Sequence, residues 1–211
     1  MKSHPGMQTH IQNIKRAAIK EEGLEEALDR ALADLNLPTE VDAILDAIWE
    51  FDAREPRYLR IYDLLHERYP NNPLIPLYKA LACHFTNREA SVEATIQTLL
   101  ILHQTDEDYP LIRSCYETLG VQYYRLGQPQ KAIAACTMAL SYYDPKVDKL
   151  QHAIHSGLHL RATIYFEQNQ PELAKQDIHY YLRHFPGDEA FHHLLEKGGA
   201  RRNTHRGFIT L

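Results

Sequence analysis

Apolar residues recur every three or four positions along most of this chain, which is the spacing of a helix with one buried face. The pattern is clear over residues 39–72, where Glu55-Pro56 separates two apolar stripes and Pro70 ends the second. No stretch alternates apolar and polar residues over a length that would suit a strand. The pattern therefore predicts an all-α fold in which residues 39–72 form a helix pair. The two stripes consist of Val41, Ile44, Leu45, Ile48 and Trp49, and of Leu59, Tyr62, Leu65 and Tyr69.

Three further helix pairs are predicted after the first, at residues 73–106, 113–146 and 147–188. Thr86-Asn87 supplies the turn of the first of these three. Charged and polar residues with a proline separate that pair from the next one. The paired helices together form one predicted domain, residues 39–197, which includes a closing helix.

Helical segments flank the paired region on both sides. Residues 1–38 comprise a tail and an amphipathic helical segment, which Gly23 interrupts. At the other end, residues 189–197 are predicted to form a capping helix that a pair of glycines ends, because a terminal repeat needs its exposed apolar side covered. Residues 198–211 form a basic tail, which we expect to be mobile.

Two stretches of the chain carry similar residues in the same order, 42 residues apart. A repeated helix pair cannot bury its apolar face alone, so such pairs stack and leave a groove for a partner. The repeat therefore predicts a binding scaffold. The first stretch carries Leu119, Gly120, Tyr123, Gly127, Ala132, Cys136, Ala139 and Pro145, and the second carries Ala162, Tyr165, Asn169, Ala174, Ile178, Tyr181 and Pro186.

These units resemble tetratricopeptide repeats (TPRs), which are helix–turn–helix units of about 34 residues. The match is best in residues 113–146, where Leu119-Gly120 and Tyr123 stand at the spacing of the family. The resemblance covers residues 39–188. It implies an α-solenoid of about four TPR-like helix pairs with flanking N- and C-terminal helices.

The chain departs from the family pattern in three ways. Asn169 stands at the turn position where Gly127 provides a backbone that tolerates positive φ. Tyr181 replaces a small residue, which implies looser or altered packing. The repeat spacing exceeds that of the family by about eight residues. We place the extra residues in a longer first helix, from Pro145 to about Gln168 and on the order of 35 Å long; the alternative is a loop before a helix of normal length.

The resemblance also implies a concave surface lined by the first helix of each pair. Its mixture of aromatic, basic and acidic groups fits a peptide strand or helix, and aromatic and Arg side chains are frequent hot-spot residues. For Tyr124 and Phe166 the alternative is packing between helices. Arg125 is the prominent cation, so recognition of a C-terminal carboxylate by several cations is not favoured. The implied partner-binding residues are Glu117, Val121, Tyr124, Arg125, His159, Thr163, Phe166 and Glu167, with Leu77, Leu81, His84 and Phe85 from the weaker pair.

Composition and charge narrow the class of partner. The net charge of -5 does not suggest the basic stripe of a nucleic-acid-binding protein. No segment approaches the roughly 18 apolar residues of a membrane span, and no secretory signal is visible. We therefore expect a cytoplasmic protein that binds neither nucleic acid nor membrane. Cys83, Cys115 and Cys136 lack C-x-x-C spacing, which predicts buried thiols.

Three histidines lie on one side of the proposed long helix. His152, His155 and His159 fall at positions i, i+3 and i+7, and the last two have a spacing that can bind Zn²⁺ or Ni²⁺. However, His155 is not followed by the glutamate of the H-E-x-x-H motif, and no cysteine lies nearby in sequence. Exposed or groove-lining imidazoles are therefore favoured over a metal site, and no cofactor is expected.

No nucleophile elbow, phosphate-binding loop or dinucleotide fingerprint occurs in the sequence. We therefore expect a non-catalytic interaction scaffold or chaperone-like adaptor that binds a peptide or protein segment in its concave groove. One alternative is a self-assembly module, which can form a homo-oligomer. In this alternative the N-terminal helix packs in its own or a neighbour's groove, because residues 8–35 have no evident place to pack. Another is an accessory subunit of an enzyme or secretion complex.

Overall fold

A computed structural model describes residues 7–20, 22–34, 41, 44–45, 56–105, 109–143 and 152–205 of the chain. All regular structure within this part is helical and it contains no strand, which confirms the all-α prediction. The chain divides into two compact units, Met1–Glu107 and Asp108–Leu211. None of the helices that the structure describes is both long and apolar enough to cross a membrane.

The N-terminal segment is a helical hairpin. The described helices of the first unit are α1 (Met7–Lys20), α2 (Leu24–Asp34), α3 (Pro56–Arg68), α4 (Leu74–Cys83) and α5 (Arg88–Thr105). Between α1 and α2, Gly23 has a φ of +66°, a left-handed conformation that glycine adopts without steric cost. The predicted interruption at Gly23 is confirmed.

This hairpin belongs to the core of the first unit. Ile14 of α1 and Leu28 of α2 are buried in one cluster with Tyr62 of α3 and Ile75 of α4. The premise that residues 8–35 have no place to pack is therefore wrong. Their apolar stripe pairs with helices distant in sequence, which the local pattern does not reveal.

The predicted helix pair over residues 39–72 is described in part. Its second helix is α3, which begins at Pro56, where proline suits the first helical position. Of its first helix, the structure describes Val41, Ile44 and Leu45, which are helical and buried. The remainder lies outside the described residues.

Small polar residues fix the pair formed by α4 and α5. Asn87 caps α5, because its side-chain oxygen accepts the Ala90 amide at 3.1 Å. The Ser91 hydroxyl donates to the Ala80 carbonyl oxygen at 2.8 Å, which satisfies a buried polar group where the two helices meet. The predicted turn at Thr86-Asn87 is confirmed.

The second unit contains two successive helix pairs and a final helix. Within the described residues these are α6 (Tyr109–Arg125), α7 (Pro129–Ser141), α8 (His152–Glu167), α9 (Pro171–His184) and α10 (Glu189–His205). α6 packs on α7, and α8 packs on α7 and α9. α6 also contacts α8, and α10 packs on α9 and α8.

The same turn joins the helices of both pairs. Gly127 and Asn169 have positive φ angles of +68° and +57°, and asparagine is among the residues that best tolerate this region. The backbone amide of the glutamine that follows each of them donates a 2.8 Å hydrogen bond to the carbonyl oxygen of Tyr123 or Tyr165. A proline then begins the second helix, where its missing N–H is not needed. The two predicted turn residues are confirmed, and the two turns match 42 residues apart.

Gly120 allows α6 to approach α7 closely. A Cβ atom at this position would lie 2.9 Å from the Cys136 sulfur and 3.6 Å from a methyl carbon of Leu160 on α8. The first distance is shorter than an ordinary contact, so even alanine would require its neighbours to shift. All three cysteines are buried thiols, as predicted.

The final helix extends beyond its predicted end. α10 does not stop at Gly198 and Gly199 but continues to His205, so residues 201–205 of the expected mobile tail are helical. Glycine lowers helix propensity by about 1 kcal/mol, which weakens a helix without ending it. Gly198 is buried against the ring of Phe166, where any side chain would collide with the ring. The glycine therefore permits close packing here.

The predicted long helix is tested only over its second part. α8 begins at His152 and ends at Glu167, close to the expected end. The predicted start at Pro145 and the alternative loop both fall on residues 144–151, which lie outside the described residues.

Candidate functional site

The predicted groove residues lie on two neighbouring helices of the second unit and on one helix pair of the first. Within the second unit, one hydrogen bond joins the two helices, because the Tyr124 hydroxyl donates to Glu167 Oε1 at 2.8 Å. Leu81 and His84 lie at the end of α4 in the first unit. On α6 the predicted residues are Glu117, Val121, Tyr124 and Arg125, and on α8 they are His159, Thr163, Phe166 and Glu167.

Six of these residues form a surface that we call the α6–α8 face. Their spacing of three and four residues places them on one side of each helix. Val121, Tyr124 and Thr163 are partly exposed, and Arg125 and Glu167 are exposed. The face thus offers apolar, aromatic and charged groups to a partner. Its members are Glu117, Val121, Tyr124, Arg125, Thr163 and Glu167.

Glu117 gives this face a titratable group. Burial raises the pKa of its carboxyl to about 7, and the charge of Arg113, one turn earlier, opposes the shift. A carboxyl with such a pKa exists in both protonation states near neutrality. A partner cation beside it would favour the charged form, so binding at this face can couple to proton release.

The other two predicted residues on α8 are covered by α10. Phe166 packs against Gly198, and the ring of His159 meets the ring of Phe191 edge-on at 5.4 Å between centroids. Both are half-buried. For Phe166, the alternative of packing between helices is the one that the contacts favour, because α10 occupies the side of α8 on which it lies.

The two described histidines of the stripe lie together under α10. The rings of His155 and His159 are nearly parallel, at 6°, with centroids 5.8 Å apart. Burial lowers the pKa of His159, His155 lowers it further, and Asp188 opposes the shift. Among the side chains that the structure describes, no group of three or more His, Cys, Asp or Glu is arranged to hold a metal ion. The side chain of His152 lies outside this set.

Asp188 connects this histidine pair to the start of α10. Its Oδ1 accepts the amides of Ala190 and Phe191 at 3.0 and 3.2 Å, as an N-cap does. Its Oδ2 accepts the Tyr181 hydroxyl at 2.9 Å and lies 3.6 Å from His155 Nε2. Tyr181 in turn stacks on Phe191, with centroids 3.8 Å apart. We call these residues the terminal clasp: His155, His159, Tyr181, Asp188 and Phe191.

The clasp explains the unusual tyrosine of the last repeat. Tyr181 is fully buried, and its hydroxyl has a partner because Asp188 begins the next helix. The altered packing that its size implied is therefore packing against α10. The sequence shows that Tyr181 is larger than the residue usual at this position of the repeat, but only the position of α10 shows what Tyr181 contacts.

A partly buried ion pair in the second unit was not predicted. Arg161 donates to both carboxylate oxygens of Asp177, at 2.9 and 2.6 Å, and to the hydroxyl of Thr137 at 2.8 Å. These groups line a cavity of about 480 Å³ between α7, α8 and α9. Through these hydrogen bonds, Arg161 on α8 links Asp177 on α9 with Thr137 on α7.

The thiol of Cys136, which is close to the Arg161–Asp177 ion pair, has low chemical reactivity. Burial raises the pKa of Cys136 to about 12, and the charge of Arg161 opposes the shift. The thiol therefore stays protonated at neutral pH, whereas the thiolate is the nucleophile. Comparison with protein-family models, with curated proteins and with solved structures gives no match to this chain.

Proposed function

We propose that this protein is a non-catalytic interaction scaffold, or chaperone-like adaptor, whose α6–α8 face binds a peptide or protein segment. The observation that carries the proposal is the hydrogen bond between Tyr124 and Glu167 on a face of partly exposed apolar and charged groups. The matching turns, 42 residues apart, support a TPR-like α-solenoid as the architecture. In such an architecture neighbouring first helices present a continuous surface to a partner.

Pre-organisation favours binding at this face. The hydrogen bond to Glu167 holds the Tyr124 ring in one orientation before a partner arrives. A side chain that is already ordered loses less conformational entropy on binding. Tyrosine and arginine are also the residues most enriched among binding hot spots, and Tyr124 and Arg125 are adjacent here.

The buried polar groups of the second unit fit a structural role better than a catalytic one. Arg161 and Asp177 neutralise each other, and Cys136 is held in its unreactive form. The three buried thiols agree with a reducing, cytoplasmic setting. The partner proposed is accordingly a protein, not a substrate, a nucleic acid or a membrane. An accessory role in a larger enzyme or secretion complex is compatible with this binding function.

Affinity measurements on selected peptides test the proposal. Peptides are selected from a displayed random library against the full chain, and their affinities are compared between variants. Replacing Tyr124 and Arg125 together by alanine is expected to weaken binding at least about tenfold, as for hot-spot residues. Tyr124→Phe, which removes only the hydroxyl, is expected to weaken binding a few-fold at most.

Lys131→Ala on α7 is the matched control, because Lys131 is exposed outside the face. It should leave the affinities unchanged. Selected peptides that bind the Tyr124 and Arg125 double variant as tightly as the wild type would show that the binding surface lies elsewhere.

Self-association is a second candidate function, and exposed apolar side chains in the first unit favour it. Phe85 and Leu100 in the first unit are 64% and 60% exposed, and each has another exposed apolar residue four positions earlier, Leu81 and Ile96. Exposed apolar patches often mark interaction sites. Sedimentation of the full chain should show concentration-dependent dimers that Phe85→Ser with Leu100→Ser abolishes. A wild-type chain that stays monomeric at high concentration would exclude this function.

A further inference from the structure

The start of α10 packs on the second unit through a compact group of ionisable and aromatic side chains. His155 and His159 from α8 and Tyr181 from α9 surround Phe191, with ring centroids between 3.8 and 5.4 Å from it. Asp188 fixes the first turn of α10 and faces both Tyr181 and His155. The anchoring contacts at the start of α10 therefore depend on this cluster.

The charges of the cluster cannot all be compensated. The two imidazole rings lie nearly parallel, and each is close to perpendicular to the ring of Phe191. Asp188, whose Oδ2 lies 3.6 Å from His155 Nε2, can compensate one positive charge in the cluster. A second proton, on His159, would place two cations 5.8 Å apart between centroids with one carboxylate beside them. Like charges this close in a partly buried site repel strongly.

Among the described side chains, the other charged groups near the cluster have different partners or lie outside it. The charge-bearing neighbours that affect His159 are His155 on its own helix and Asp188 on α10. From α9 the cluster receives Tyr181, which is uncharged at these pH values. Arg161, two residues further along α8, points to Asp177 and Thr137 instead. On α10, His192 is exposed, with Nε2 2.8 Å from the Pro186 carbonyl oxygen.

We propose that the terminal clasp is an acid-sensitive latch, in which protonation of both His155 and His159 releases α10 from α8 and α9 while the two helix pairs stay folded. α10 is the last described helix, so it can leave without breaking the contacts between α6, α7, α8 and α9. Its departure returns the two imidazoles to water. This inference does not depend on the proposed binding function of the α6–α8 face.

The direction of the pH dependence follows from proton linkage. Docking of α10 buries His159 and lowers its pKa, so the undocked state binds more protons. The docked state is therefore fully favoured above the ordinary histidine pKa of about 6.5. It loses stability as the pH falls below that value toward the lower pKa of the docked state.

Release of α10 would uncover a specific surface. Phe166 loses the backbone of Gly198 that covers it, and Tyr181 loses its stacking partner. The exposed surface on α8 and α9 would be aromatic and bordered by imidazoles. It adjoins Glu167, which follows Phe166 in α8.

Hydrogen exchange of the full chain, read by mass spectrometry and corrected for intrinsic rates, tests the latch. Between about pH 8 and about pH 5, the opening constant of α10 is expected to rise on the order of tenfold for each unit by which docking lowers the pKa of His159. Amides of α6 and α7 should keep their protection. A variant with His155→Gln and His159→Gln should lose this dependence, whereas His179→Gln, which alters an exposed imidazole on α9, should retain it.

The NMR titration of the imidazoles in the wild-type chain tests the latch without any substitution that could disturb the fold. His159 is expected to titrate below the ordinary histidine range, and Asp188→Asn is expected to lower its pKa further. The proposal is overturned if His159 titrates at an ordinary pKa. It is equally overturned if α10 opens to the same degree throughout this pH range, or if the variant without the two imidazoles keeps the wild-type pH dependence.

Discussion

The two helix pairs of the second unit have the same kind of turn, but their first helices, α6 and α8, make different contacts. In the first pair, Tyr124 is partly exposed and donates a hydrogen bond to Glu167 of the neighbouring first helix. At the equivalent position 42 residues later, Phe166 lies under Gly198 of α10. Tyr124 and Phe166 are both partly exposed, so the two positions differ in their partners: Glu167 on the neighbouring helix for Tyr124, and the final helix for Phe166. The difference teaches that side chains at equivalent positions of two similar helix pairs can have different packing partners.

Other equivalent positions show the same contrast. Ala139 in α7 corresponds to Tyr181 in α9, and the larger side chain anchors α10 through Asp188. Leu119 and Ala135 of the first pair, both buried, correspond to Arg161 and Asp177 of the second. The second pair therefore replaces apolar packing with polar links at two places. Substitutions at these positions can break or sharpen the comparison.

Removal of the Tyr181 side chain is expected to have the largest effect. Tyr181→Ala should lower the free energy of unfolding of the second unit by roughly 3–5 kcal/mol, because a large buried aromatic is replaced by a cavity. The slowest-exchanging amides of α7 report this free energy. Tyr180→Ala is the control, since the neighbouring ring is exposed, and it should cost under about 1 kcal/mol. Equal effects of the two variants would contradict an anchoring role for Tyr181.

The ion pair is expected to show strong coupling. Asp177→Ala alone should cost roughly 2–3 kcal/mol, because it leaves the partly buried guanidinium of Arg161 without its carboxylate. Combining it with Arg161→Leu restores the residue types of the first pair and should recover most of the loss, since apolar replacements of buried ion pairs are often near neutral. A double-mutant cycle on the unfolding free energy measures this coupling. Additive single effects would show that the two groups do not act as a pair.

Glu117 on α6 and His159 on α8 should change the stability of the second unit in opposite directions as the pH changes. The raised pKa of Glu117, about 7, means that the folded state binds the extra proton. Stability from this group is present at low pH and is lost as the pH rises from about 4.3 to about 7. The lowered pKa of His159 has the opposite effect below about pH 6.5.

Glu117→Gln separates the two contributions. At about pH 8 it should raise the unfolding free energy of the second unit by roughly 1–2 kcal/mol, a value reduced for the partial exposure of the group. Below about pH 5 it should have little effect. Glu172→Gln, at an exposed position on α9, should show no such difference. A stability gain that is the same at both pH values would rule out titration of Glu117 as its cause.

The smallest expected effect concerns the shared turn. Asn169 holds a φ of +57°, which glycine adopts at lower cost, so Asn169→Gly should stabilise the second unit by about 0.5 kcal/mol. The reciprocal change, Gly127→Asn, should destabilise it by a similar amount. Thermal unfolding of both variants provides the comparison. Changes of the same sign in both variants would show that the turns are not equivalent.

Much of the fold could be predicted because its signals are local. The apolar spacing predicted the helical fold, and Gly127 and Asn169 predicted two turns through their tolerance of positive φ. The extension of α10 through Gly198 was not predictable in the same way. Glycine pairs commonly end helices, and only the neighbouring Phe166 ring shows why a glycine is needed inside this one.

The candidate site was predicted less completely than the fold. The resemblance to a repeat family selected Tyr124 and Glu167, and the structure joins them. It did not show that α10 covers His159 and Phe166, because the path of a terminal helix depends on tertiary contacts. Arg161 and Asp177 lie 16 residues apart on different helices, so their pairing has no signature in a single sequence.

We propose that the α6–α8 face is where this protein binds its partner. The most direct test is NMR mapping of a peptide selected against the full chain, with amide shifts followed as the peptide is added. The largest shifts are expected at Val121, Tyr124 and Thr163, with little change along the outer surfaces of α7 and α9. Shifts confined to α7 and α9, with none on α6, would contradict the claim.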